Sequence, residues 1–283
     1  MLQTSNFVVD PTKEKILQQY IKSGSNVLVF GPTGTGKTTL CQKVAEDLKM
    51  NFFVINLGST QDARSALLGN LTLKDSSTEF QVSEFIKNIQ TPNTLVVLDE
   101  VSRASKDCMN ILFPLLDGRK EVSIEESEGD RIIEVAEGVR FIGTANIGVE
   151  YSATHVIDRA LRDRFVPFHL PYLTGDQLMG YLSNRFSNLF TNEDVKRDAR
   201  TLCDLYTYTH EQKRQDNLSE EISPRSIIEA MPLLGVFPLE AIIRNVILTP
   251  YMADSSSTEE EVSLILQKCD YMGILSHGYP NPF

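Results

Sequence analysis

Apolar positions follow two rhythms along this chain. In its first part, residues 26–30 (NVLVF), 51–56 (NFFVIN), 94–98 (TLVVL) and 139–144 (VRFIGT) form short, mostly apolar runs, separated by helix-compatible stretches such as 37–50 and 104–116. Strands buried on both faces of a parallel sheet read as continuous apolar runs, because the intervening helices cover the sheet on each side. The pattern predicts a three-layer α/β domain over roughly residues 1–170. Beyond Pro167 and Pro171 the runs stop, and apolar residues recur with a 3.6-residue period in 174–190, 192–209, 223–234, 239–248 and 258–275. Ser223 before Pro224 is a helix-start signal, a capping hydroxyl followed by a residue suited to the first helical position. Residues 171–283 therefore read as a small all-helical domain.

Composition narrows the classes without choosing among them. Of 283 residues, 41% are hydrophobic and 23% charged, which excludes disorder, collagen and coiled coil as descriptions of the whole chain. Lys and Arg number 27 against 38 Asp and Glu, a net charge of −11 that disfavours a phosphate backbone as partner unless the positive charge is gathered in one place. The start, MLQTSNFVVDPTKEK, has neither a basic nor an apolar leader segment, and no run approaches the length of a membrane span. A soluble protein of the cytoplasm is the expectation. Cys41, Cys108, Cys203 and Cys269 are far apart, without CxxC spacing, and His155, His169, His210 and His277 are scattered, so neither a zinc site nor a disulfide frame is signalled.

The first chemistry lies in GPTGTGKTT, directly after the apolar run NVLVF and before an amphipathic segment. Gly31, Gly34, Gly36, Lys37 and Thr38 match GxxxxGK[ST] in the strand, loop and helix setting it requires. The glycines let backbone N–H groups of Gly31, Pro32, Thr33, Gly34, Thr35, Gly36, Lys37, Thr38 and Thr39, wherever an N–H exists, approach a triphosphate. Lys37 is suited to neutralise the β and γ oxygens, and the Thr38 hydroxyl to coordinate Mg²⁺. The second lies in TLVVLDE, where Asp99 and Glu100 end a predicted strand at the sheet edge on which open α/β folds bind ligands. Asp99 is the expected Mg²⁺ holder, directly or through water, and Glu100 the expected base for the attacking water.

These motifs together resemble an AAA+ ATPase, a P-loop NTPase core followed by a helical lid, over nearly the whole chain. FIGTAN places Asn146 at the superfamily's first sensor, which helps hold the lytic water. IDRALRDRF resembles the segment carrying the arginine finger, with Arg164 the first candidate, Arg162 the second and Arg159 the third. ISPRSI resembles the second sensor, with Arg225 directed to the nucleotide of its own subunit. Within the superfamily the likeness is to the MoxR-type group, which includes the motor subunit of cobaltochelatase. DEVSRASKDCMNILFPLLDGRKEVSI is similar to that group's DEINRA segment, with Ser102 replacing its Asn and Arg103 matching its Arg. LLGNLTLKDSSTEF is similar to its insertion in the second core helix.

The resemblance implies a Mg²⁺-dependent ATPase assembled as a homo-oligomeric ring of six, because a finger such as Arg164 serves the adjacent subunit. It further implies a chaperone-like role toward a protein client, in this group often one with a von Willebrand A-type domain or a metal-insertion machine. Two alternatives stay open: a motor subunit of a restriction-like nucleic-acid complex using GTP, and a low-turnover nucleotide switch. Base contacts near 7–9 would be mostly backbone and apolar, leaving ATP against GTP open. Asn56 is a candidate to turn Glu100 away at rest. The acidic stretch 121–137, with seven carboxylates against Arg131, suits partner docking or protection of a strand edge as well as solubility.

Overall fold

A computed structural model describes residues 10–74, 77–124, 132–146, 163–249, 251 and 259–274. The chain divides into two compact units, 1–171 and 172–283. The first unit is built on a five-stranded sheet of β1 (Val27–Gly31), β2 (Asn51–Asn56), β5 (Thr94–Asp99), β8 (Arg140–Asn146) and β9 (Val166–His169), in the order β2-β5-β8-β1-β9 with every pairing parallel.

Alternation along these strands divides the core in two. Val27, Val29, Leu95, Val97, Ile142 and Phe168 face one side, where α1 (Pro11–Lys22) supplies Leu17 and Ile21 and α2 (Lys37–Asp47) supplies Leu40, Cys41, Val44 and Ala45. Leu28, Val96, Leu98, Phe141 and Ala145 face the other, under α3 (Ala63–Leu67), α4 (Glu84–Ile89) and α5 (Lys106–Leu116). The central strands are buried on both faces, which is why they read as continuous apolar runs. The three-layer core expected from the sequence is present, and it has one strand more than the four apolar runs announced. β9 is an edge strand of four residues carrying Pro167, whose missing N–H is tolerated at an edge and erases the apolar-run signal.

Two hairpins depart from the sheet. Between α3 and α4 the insertion takes the form of an antiparallel pair, β3 (Gly69–Lys74) and β4 (Ser77–Val82), with Leu71 opposite Phe80. The acidic stretch pairs β6 (Glu121–Ser123) with β7 (Ile132–Glu134), setting Val122 against Ile133 on the buried side. Glu121 lies opposite Glu134, a like-charge pair that costs the hairpin stability; 125–131, with Glu125, Glu126, Glu128 and Asp130, lies outside the described residues.

The second unit is helical: α6 (Gly175–Arg185), α7 (Glu193–Arg214), α8 (Pro224–Ala230), α9 (Leu239–Ile242) and α10 (Glu259–Tyr271) surround a core that includes Leu178, Leu202, Tyr206, Ile227, Met231, Ile243 and Ile265. Thr174 and Gln177 close a capping box on α6, and the Ser223 hydroxyl accepts from Ser226 N at the start of α8. The four cysteines are free and buried. Among the described residues no helix is long and apolar enough to cross a membrane.

Candidate functional site

Parallel pairing brings the carboxyl ends of β1, β8 and β5 together at one edge of the sheet, and with them the residues of the two motifs. Gly31, which ends β1, is in register with Asn146, which ends β8, so the first-sensor candidate stands beside the root of the glycine loop. Asp99 ends β5 on the far side of β8. Gly34 and Gly36 both lie at φ +80°, a region costly for other residues, which lets the loop curl over the start of α2. Gly36 caps α2 without any side-chain acceptor, so the first N–H groups of this helix point into the loop.

Lys37 is buried, and its ammonium donates to the carbonyl oxygens of Gly31 at 3.1 Å and Pro32 at 2.7 Å, holding a positive charge at the loop's centre. Thr35 donates to Pro32 O at 3.0 Å, closing the turn. The Thr38 hydroxyl donates to Asp99 Oδ1 at 2.9 Å, bridging 61 residues of sequence. The same carboxylate oxygen accepts from the Thr144 hydroxyl at 2.5 Å, and Thr144 Oγ1 in turn accepts from Glu100 N at 3.1 Å. Thr144 therefore fixes both acidic residues, and sequence reading missed it. A Thr within FIGTAN looks like an ordinary strand former; its position two residues before Asn146, on the strand beside Asp99, was the available signal.

The donor set suits Mg²⁺. Thr38 Oγ1 and Asp99 Oδ1 are hard oxygen ligands within one coordination sphere of each other, and no group of three or more His, Cys, Asp or Glu that could hold a metal occurs among the described residues. Hard oxygen donors of this kind are what Mg²⁺ takes from a protein when substrate phosphates supply the rest.

Glu100 lies next to this cluster but faces elsewhere. Its backbone is left-handed at φ 56°, ψ 43°, and its carboxylate lies over Gly58 in the loop after β2, with Arg103 Nη1 3.4 Å from Oε2. Asn56 uses its amide oxygen on Ser59 N and its carbonyl on the Thr60 hydroxyl. Ser102 is half-buried and Arg103 exposed in the turn after Glu100.

Arg164 sits at the other end of the sheet. It precedes β9, whose first residue pairs with Val27 at the start of β1, and its carbonyl accepts from Asn26 Nδ2. The length of β1 sets it about 15 Å from the glycine loop along the strand direction. Its guanidinium stacks 4.4 Å from the ring centroid of Phe113 in α5. Arg159, Arg162 and residues 7–9 lie outside the described residues. Arg225 is exposed in the first turn of α8.

Residues 26–165 match the AAA domain of the dynein-related subfamily. The chain carries an AAA+ ATPase domain. An uncharacterized protein of Staphylococcus saprophyticus is 28% identical over 271 residues, covering 94% of this chain and 97% of its own. Among solved structures, a mutant of RuvB from Thermotoga maritima superposes with a TM-score of 0.54 at 17% identity, over 97% of this chain and 73% of that one. NtrX from Brucella abortus, in complex with ADP, gives 0.51 at 15%, over 96% and 71%. These two structures share the fold of this ATPase: a P-loop sheet core with a helical unit after it.

Proposed function

We propose that this ATPase hydrolyses ATP at the loop 31–38 within a homo-oligomeric ring and uses the cycle to remodel or activate a protein partner. The observation that supports the site best is the Thr38–Asp99–Thr144 chain of hydrogen bonds, which ties the glycine loop to the carboxyl end of β5. On this reading Gly31, Pro32, Thr33, Gly34, Thr35, Gly36 and Thr39 line the triphosphate with main-chain and hydroxyl groups. Lys37 gives up its loop carbonyls to neutralise the β and γ oxygens. Thr38 and Asp99 would hold Mg²⁺, which would supply positive charge against the negative charge that develops on the triphosphate. Glu100 takes a proton from the attacking water, and Asn146, beside Gly31, orients that water.

Arg164 supplies charge to the site of an adjacent subunit, since its own loop is at the opposite sheet end. Arg225 is the lid's cation for the triphosphate of its own subunit. A head-to-tail contact of this kind closes into a ring, and the MoxR-like resemblance favours six members and a von Willebrand A-type or metal-insertion client. The net charge of −11 argues for a protein partner over nucleic acid.

The test is turnover of ATP and GTP by the purified chain, with and without DNA, beside Glu100→Gln. The variant should bind ATP with unchanged affinity and lose hydrolysis by at least about 100-fold, in the range expected for a general base. Full turnover by Glu100→Gln removes the base assignment; GTP preference with DNA stimulation replaces the client reading with a nucleic-acid motor.

A further inference from the structure

We propose that Phe113 is a positioning residue for Arg164: its ring, tied to the arginine's main chain through Asn26, fixes the plane of the guanidinium that serves the adjacent subunit. The proposal rests on Arg164 being the finger. Neither Phe113 nor Asn26 belongs to the phosphate site of its own chain. Asn26 precedes β1, at the end away from the loop 31–38, and Phe113 lies in the last turn of α5.

Asn26 grips the chain on both sides of Phe165. Its Nδ2 donates to Arg164 O at 3.2 Å, and its own carbonyl accepts from Val166 N at 2.8 Å. The same amide donates to Leu116 O at 2.7 Å, one of the carbonyls left over where α5 ends. One side chain therefore joins Arg164 to the helix that carries the ring. Phe165 on one side and Leu112, Leu115 and Leu116 on the other are buried in the same core, against which Phe113 also packs, so both halves of the seat stand on one support.

The ring does what a carboxylate would not. The guanidinium carbon lies 4.4 Å from the Phe113 centroid, and a ring against the face of a guanidinium holds its plane without engaging the in-plane N–H donors, which are the ones that fork onto a phosphate. A carboxylate in that place would compete with phosphate for those donors. The acid on this side of the seat, Asp117, is already engaged: Arg119 Nε lies 3.2 Å from its Oδ1 and Nη2 2.8 Å from its Oδ2. These Arg119 bonds, with a smaller pull from Arg164, hold its carboxyl below the usual carboxylate range.

The test measures steady-state ATP turnover of Phe113→Leu, Phe113→Tyr, Arg164→Ala and the double variant Phe113→Leu with Arg164→Ala at matched protein concentration, with assembly followed by sedimentation. Phe113→Leu keeps the apolar bulk and loses the ring, so kcat should fall about three- to tenfold with KM for ATP unchanged, whereas Phe113→Tyr keeps the ring and should stay near the parent. The loss should vanish in the Arg164→Ala background, where no guanidinium remains to be positioned. Mixing distinguishes the seat from a local defect. Each Phe113→Leu subunit keeps its own site intact, so dilution with Glu100→Gln, whose finger is seated, should raise turnover per Phe113→Leu subunit. Parental kcat in Phe113→Leu, a loss that persists without Arg164 or that mixing leaves unrelieved, or loss of assembly by the variant overturns the seat alone. Full turnover by Arg164→Ala overturns the finger and the seat with it.

Discussion

Thr144 shows what a single hydroxyl does at this site. It donates to Asp99 and accepts from Glu100 N, and it is 1% exposed, so no water replaces it. Thr144→Val keeps the shape, frees Asp99 Oδ1 from one donor and leaves the Glu100 N–H buried without its acceptor, at a cost of about 1–3 kcal/mol in stability. Turnover should fall about 10- to 100-fold and the Mg²⁺ concentration for half-activity should rise, as when an outer partner of a metal ligand is lost; Thr144→Ser should recover most of both. Magnesium titration of the three proteins checks this. Lys37, Thr38 and Asp99 were visible in the sequence because a phosphate loop is chemically local and its spacing is rigid. Thr144 was not, because it matters through a neighbour 44 residues away that only the sheet order supplies.

Elements with a strong period were readable, and those placed by tertiary pairing were not. The apolar rhythm of 192–209 belongs to α7, which runs on to Arg214 through the polar residues Glu211, Gln212, Lys213 and Arg214, which carry no apolar period. β9 escaped because four residues with a proline carry no strand pattern. The insertion was legible as an insertion but not as a hairpin, since Leu71 and Leu73 alternate correctly yet stay 58% and 85% exposed.

Within the helical unit, His210 of α7 is wedged between the rings of Tyr172 and Tyr206 and bonds Ile222 O through Nε2 at 3.0 Å. Burial pushes its pKa down to about 4, with Arg214 adding to the effect and the Ile222 bond opposing it. The unfolded imidazole, at about 6.5, binds a proton that the folded one refuses, so this contribution is complete above that pH and is lost as pH falls toward 4. It amounts to about 2–3 kcal/mol. His210→Leu should be less stable than the parent at pH 8, yet lose less on acidification between pH 6.5 and 4, as followed by calorimetric Tm. Parallel slopes in the two proteins would remove the histidine from the account.

At the scale of the whole molecule, the geometry of one sheet separates two halves of the proposed catalytic apparatus. The glycine loop ends β1 and Arg164 stands before β9, at the strands' opposite ends. Arg164→Ala should keep ATP affinity and lose hydrolysis by about 10³-fold or more, the scale of an arginine supplied across an interface. Mixed with Glu100→Gln, which keeps its finger and lacks its base, it should regain part of the activity through hybrid interfaces; mixtures as inactive as either parent would exclude catalysis between subunits. The fold class was legible as a whole because burial of strands on both faces leaves its mark in sequence.

The separation of loop and arginine by the length of β1 also has a genetic reading. In the proposed ring, a copy altered at 164 would be harmless to itself and injurious to the copy beside it. In a cell carrying both alleles, the damage would therefore spread beyond the altered chains, and the mutation would behave as dominant while the lesion's own pocket stayed intact.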